Sequence, residues 1–211
     1  MATSVRAHIK NAIFDRVPGL VRRGPTESRR VALTFDDGPD ARTADYVEVL
    51  DELGVPATFF VCGAHAEARP ELVREYVRRG HQVGGHGYDH TRFTKLAPRA
   101  LLDQCVRTDR AIGGQSTGRS WVRPPHGSLG ARSLIALRAS GYVVALWSLD
   151  SCDYDDRDPD SIVARCATAT AGDVLLFHEG QDWTLAALPR IVGALRDAEL
   201  ELVTMHDLFA R

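Results

Sequence analysis

The stretch "TFDDGP", residues 34–39, follows the apolar run "VAL" and sets two carboxylates side by side. Adjacent acids repel, and each resists ionisation while the other is charged. A turn needs one Asp at most to start it, so Asp36 and Asp37 ask for something positive nearby. Residues 86–90, "HGYDH", carry two histidines four apart. On a helix or a compact loop that spacing can aim both imidazoles at one point, as in HExxH zinc sites. Gly87 stands where such a motif has its Glu, so the metalloprotease reading lacks a base. Taken alone, the pair reads equally as two surface histidines on a loop. Gly84, Gly85 and Gly87 argue for close backbone approach rather than a regular helix. With one Asp added, two imidazoles make a three-ligand set suited to Zn²⁺ or a similar ion, leaving positions open for water and substrate. The second Asp then stays free as a base, and the cation resolves the repulsion within the pair.

Such residues need a frame. Apolar runs at 30–35, 57–62, 81–85, 120–124, 142–149, 173–178 and 200–205 read as strands. Segments 43–53, 70–79, 98–112, 130–140, 158–170 and 184–197 read as helices. Ala44, Val47, Leu50 and Leu53 recur at helical spacing before Gly54 ends the run. The strands are apolar without clean alternation, as expected when both faces are buried. Alternating β and α units imply parallel strands with right-handed crossovers. About seven repeats predict an α/β barrel of the TIM type, one strand short, with an open doubly wound sheet as the alternative. In either fold ligands bind at the carboxyl ends of strands. That places Asp36, Asp37, His86 to His90, Arg123 to Gly127, Asp150, Asp153 and His178 in position for chemistry.

Five of these segments carry a resemblance. "TFDDGP", "HGYDH", "RPPHG", "DSCDY" and "LLFH" occur in the order of the five motifs of polysaccharide deacetylases, the NodB-like carbohydrate esterase family 4. The resemblance covers about residues 30 to 208. It implies a distorted, incomplete (β/α) barrel that removes N-acetyl or O-acetyl groups from sugars. It assigns Asp36 as general base, Asp37, His86 and His90 as metal ligands, and Arg123 as the partner of the base. His178 matches the general acid and Asp153 the carboxylate that holds it. The implied cofactor is one divalent ion, Zn²⁺ first, with Co²⁺, Ni²⁺ or Mn²⁺ as alternatives. The backbone N–H of His126 is expected to serve the oxyanion, and Pro125 and Tyr154 to meet the substrate. His126 stands where the family commonly has Tyr, and Tyr154 where it commonly has Trp, so the groove wall differs here.

The expected reaction is removal of N-acetyl groups from N-acetylhexosamine units of a glycan or glycoconjugate. O-acetyl esterase activity on a polysaccharide and a non-catalytic carbohydrate-binding relative are the rival readings. A net charge of −2 over 211 residues gives no electrostatic footprint for nucleic acid. No apolar run is long enough to span a bilayer. Arg6, Lys10, Asp15 and Arg16 interrupt any secretory h-region, which predicts a cytoplasmic protein or one at the inner membrane face. Cys62, Cys105, Cys152 and Cys166 form no CxxC pair and read as free thiols. Residues 30–211 are expected as the deacetylase domain and 1–29 as an N-terminal extension. Within that extension, residues 5–21 have apolar positions at helical spacing. They suit packing against the barrel or disorder better than a peripheral membrane contact, because Arg6 and Arg16 fall on or beside the same face.

Overall fold

The computed structural model describes residues 17–113 and 120–210. Strands β1 (Leu20–Val21), β2 (Arg30–Asp36), β3 (Thr58–Val61), β4 (Gln82–Gly85), β5 (Trp121–Val122), β6 (Val143–Ala145), β7 (Leu149–Asp150), β8 (Val174–His178) and β9 (Glu201–Leu202) form one curled sheet. Its order is β1-β6-β5-β4-β3-β2-β8-β7, with β9 beside the start of β2, and every strand pair is parallel. Helices α1 (Thr43–Glu52), α2 (Gly63–Ala68), α3 (Pro70–Arg78), α4 (Pro98–Ile112), α5 (Ala131–Ala139), α6 (Pro159–Cys166), α7 (Asp182–Asp197) and α8 (Met205–Phe209) connect them. This is the distorted, incomplete (β/α) barrel expected from the sequence.

The two faces of β2 explain its unbroken apolar character. Val31, Leu33 and Phe35 point outward into the core shared with the helices, where Phe35 stacks on Phe59 and Phe177 at 5.2 and 5.4 Å. Ala32, Thr34 and Asp36 alternate with them. Ala32 packs in the separate cluster that also holds Phe60, Trp121, Val174 and Met205. Burying a Phe stabilises by about 1.5–3 kcal/mol, so this packing sets the register of β2. Slipping β2 by one residue would turn Asp36 away from the site.

Local signals end the helices where loops must begin. Gly54, at φ 62°, closes α1 as Val55 N–H reaches back to Leu50 O at 2.9 Å. Asp158 caps α6 through the N–H groups of Asp160 and Ser161.

The sheet does not close through strand pairing between β6 and β8. Two chain segments bridge the gap instead. Ser148 N–H donates to Val174 O at 3.0 Å, and Gly24 N–H donates to Gly172 O at 2.7 Å. Residues 20–24, expected within an N-terminal extension, are therefore bound into the barrel wall. Leu20 is buried and Val17 packs beside it, which takes these two away from any membrane. Residues 5–16, the rest of that amphipathic stretch, lie outside the described residues. Among the described residues, no helix is long and apolar enough to cross a membrane, and all four cysteines are unpaired.

Candidate active site

The carboxyl ends of β2, β4 and β8 meet at a cavity of about 470 Å³ lined by Asp36, Asp37, His86, His90, His126 and His178, among others. Register does much of this work. Asp36 is the neighbour of His178 across the β2–β8 ladder, so both side chains leave the sheet on the same side. His86 follows β4 and His90 ends the loop after it, with φ 61°.

Asp37, His86 and His90 each present a ligating atom within 4.8 Å of the others. Asp37 Oδ1 lies 3.1 Å from His90 Nε2 and 3.6 Å from His86 Nε2. That oxygen is buried and takes no well-aligned hydrogen bond. His86 Nδ1 sits 2.9 Å from the Arg123 carbonyl. A carbonyl only accepts, so Nδ1 carries the hydrogen. Burial holds the His86 pKa below its ordinary value, so the ring is neutral and its Nε2 lone pair faces the carboxylate. A lone pair aimed at a buried carboxylate oxygen is repulsive unless a cation sits between them. The donor set therefore fits a divalent ion, and the Arg123 carbonyl fixes the tautomer from behind.

Electrostatics point the same way. Burial would raise the Asp37 pKa, but His90, His86 and His178 outweigh it and hold the carboxyl well below its usual range. Contact with Asp37 in turn raises His90. Asp37 itself adopts φ 78°, a left-handed conformation that costs a non-glycine residue about 1–3 kcal/mol. Its carbonyl is 2.8 Å from His65 Nδ1, and since a carbonyl only accepts, that ring nitrogen carries the hydrogen.

Asp36 is buried, and its two oxygens have different tasks. Arg123 Nη1 donates to Oδ1 at 2.8 Å and to Thr34 Oγ1 at 2.8 Å. Oδ2 is left toward the cavity, 3.6 Å from His86 Nε2. Arg123 is wholly buried, over the Phe60 ring at 4.2 Å. It lies under the site rather than in its wall, fixed further by the Leu146 carbonyl.

On the opposite side, His178 Nδ1 is 2.7 Å from Asp153 Oδ1. The other Asp153 oxygen accepts from His178 N–H at 2.9 Å and Thr184 Oγ1 at 2.8 Å. Burial pulls the His178 pKa down, yet the Asp153 bond and the charges of Asp36, Asp153 and Asp37 override it and raise it to about 9. A protonated His178 with Nδ1 engaged has one N–H left, on Nε2, to give to a substrate.

Not every expected residue lines the cavity. Pro125 is buried, close against Gly87, and does not reach it. The next residue, His126, adopts a left-handed conformation at φ 55°. The His126 ring lies 4.5 Å from that of His90. Tyr154, 58% exposed, sets its ring edge-on to His178 at the rim. Asp150, Arg92, Trp147 and Leu176 also line the cavity, and the last three were not singled out from the sequence. Leu176 had a signal: it stands two residues before His178 on one strand and so shares its face.

The polysaccharide deacetylase family profile matches residues 23–145. A peptidoglycan-N-acetylglucosamine deacetylase of Listeria monocytogenes is 33% identical over 86% of this chain and 39% of its own length. The chain thus spans well under half of that relative. The chitooligosaccharide deacetylase of Sinorhizobium fredii is 35% identical over 84% of this chain and 90% of its own. The crystal structure of the Bc1960 peptidoglycan N-acetylglucosamine deacetylase superposes with a TM-score of 0.85 at 28% identity, covering 90% of this chain and 92% of the other. On motifs, fold and similarity together, the chain belongs to the polysaccharide deacetylase family.

Proposed function

We propose that the protein is a metal-dependent hydrolase that removes N-acetyl groups from N-acetylglucosamine units of a glycan or glycoconjugate. One observation carries this reading. A three-ligand set, a carboxylate base backed by a buried arginine and a histidine acid backed by a buried carboxylate meet at one cavity. Relatives named for deacetylation of peptidoglycan N-acetylglucosamine and chitooligosaccharides support the substrate class.

Asp37, His86 and His90 would hold the ion, Zn²⁺ being the choice the N/O donor set favours. A divalent ion bound there supplies Lewis acidity toward the acetyl carbonyl and toward water. Asp36 accepts the proton of the attacking water through Oδ2, because Arg123 occupies Oδ1. Arg123 keeps that carboxylate oriented at no cost in reorganisation during the reaction. The backbone N–H of His126 serves the oxyanion in this reading. His178, cationic at neutral pH, gives its Nε2 proton to the departing nitrogen. An amine is a poor leaving group unless protonated, so a donor with a raised pKa suits amide cleavage. Trp147 and Tyr154 at the rim offer apolar ring faces to the sugar.

The complete set of base, ligands and acid argues against a binding-only role. A cytoplasmic address belongs to the same proposal; cell fractionation tests it. Acetate release is the decisive assay, run on N-acetylglucosamine oligomers, peptidoglycan and O-acetylated xylan, with chelator and after adding Zn²⁺. Release from the N-acetylated substrates, abolished by chelator and restored by Zn²⁺, is expected. Release from O-acetylated substrate alone would replace this reading by the esterase one.

A further inference from the structure

Glu179 follows His178 directly and takes no part in the chemistry above. It is almost wholly buried, at 4% exposure. A buried carboxyl is costly and survives only where it is hydrogen-bonded. Here Oε1 accepts from Thr43 Oγ1 at 2.7 Å and Oε2 from Tyr76 OH at 2.7 Å. Thr43 Oγ1 accepts in turn from Asp40 N–H at 2.8 Å. The backbone N–H of Glu179 donates to Asp36 O at 3.0 Å. The carboxyl group also lies against Gly38, where an added Cβ would fall 1.6 Å from Oε2. One residue at the end of β8 thus grips the turn after β2 at Asp36, Gly38 and, through Thr43, Asp40.

That turn holds Asp37 in a left-handed conformation, which persists only where the surroundings over-determine it. The grip is needed there because Asp37 must point Oδ1 at two imidazoles from a different strand. We propose that Glu179 is a positioning residue for the metal-ligating turn: its buried carboxyl group ties residues 36–40 to the end of β8 and sets the direction of Asp37. Glu179 touches neither ligand atom nor substrate and acts through the backbone of the turn. The inference rests on the assignment of Asp37, His86 and His90 as the ligand set.

Zn²⁺ affinity, read by competition with a chelating dye, tests it without any sugar substrate. The proteins are wild type, Glu179→Gln, Glu179→Ala and Thr43→Val, each checked for folding by circular dichroism. Supporting residues behind metal ligands are worth about 10–100-fold in affinity. Glu179→Ala and Thr43→Val are expected to weaken Zn²⁺ binding by about tenfold or more. Glu179→Gln, which keeps the shape and one acceptor, should recover most of the loss. A purely structural role would lower the melting temperature of the chelated protein and leave the Zn²⁺ Kd of the folded variants unchanged, which overturns the inference. Thr43→Val decides the matter if Glu179→Ala does not fold. Wild-type protein that binds no Zn²⁺ would overturn the deacetylase reading and this inference together. Unaltered Kd values in the variants beside a Zn²⁺-binding wild type would overturn this inference alone.

Discussion

Replacing Asp153 by Asn removes the anion against which His178 is held, and the outcome can be worked from the contacts. Asp153 is fully buried and bonds His178 twice, through the ring and the backbone. Burial alone would push the imidazole below its ordinary 6.5; Asp153, with Asp36 and Asp37, brings it to about 9. Losing the Asp153 charge leaves the burial penalty intact, so the pKa should fall to about 6.5 or lower, a change worth about 3 kcal/mol at ~1.36 kcal/mol per pH unit. At pH 7.5 the protonated fraction then drops from about 97% to about 10% or less. A general acid works only while protonated, so its activity is lost as pH rises through its pKa. The alkaline limb of kcat should move down by about 2.5 pH units in Asp153→Asn, with at least about a tenfold loss at pH 7.5. The direct assay is the NMR titration of the His178 ring in chelator-treated protein, where no bound cation offsets Asp36 and Asp37. If His178 in the variant titrates within about 0.5 pH unit of wild type, the account of how this acid is charged is wrong.

Four further outcomes are expected. Asp36→Asn should retain Zn²⁺ by elemental analysis yet lose about 10²–10⁴-fold in turnover, whereas Asp37→Ala should lose the metal; the reverse pattern would swap the pair. Arg123→Met leaves Asp36 buried and unpaired, and should destabilise the fold by about 3–5 kcal/mol in urea titration, with part of that recovered in the Arg123→Met/Asp36→Asn double variant. His126→Tyr should keep metal content and turnover of the smallest substrate while changing selectivity among longer glycans; a loss of about 10²-fold on the smallest substrate would give its imidazole an acid–base role. Burial holds the His81 pKa down to about 4, below the unfolded value of about 6.5, so its contribution is present above pH 6.5 and lost as pH falls through 4, about 3 kcal/mol in all. His81→Asn keeps an acceptor for the Ala57 N–H that His81 Nδ1 now binds, so its unfolding free energy should fall less than that of wild type between pH 7 and 4.

The motifs were legible because each sits at the end of an apolar run, and runs of four or more residues identify strands without help from their neighbours. The six helices with at least two turns were found for the same reason, although α6 ends at Cys166, short of the expected 170. Beyond it the chain turns to bring the Thr170 N–H onto Asp173. Helices α2 and α8, of six and five residues, are too short to show a repeating face. β1 has two residues and exists only because β6 offers it an edge. "YVVALWSL" reads as one strand, yet the structure divides it into β6 and β7, since Leu146 to Ser148 step across the gap in the barrel. Trp147 rides on that step, which is why its place in the cavity could not be read from periodicity. The adjacency of Asp36 and His178 is a matter of which distant strands pair, and no local pattern carries that information. Nor does one reveal that Arg123 lies beneath Asp36 and not beside the substrate.

The position of β2 has a consequence for how the chain comes into being. It pairs with β3 on one edge and with β8 and β9 on the other. A ribosome delivers β3 early and β8 late. At ~5–20 residues per second, the residues between Val61 and His178 take about 6 to 23 s to make. Throughout that interval one edge of β2 has no native partner. An apolar strand with unpaired N–H and C=O groups is a template for pairing with another chain. The segment that ends in the two acids is thus a point at which the nascent chain is exposed to aggregation. Protection during synthesis must cover a sheet edge as well as apolar side chains.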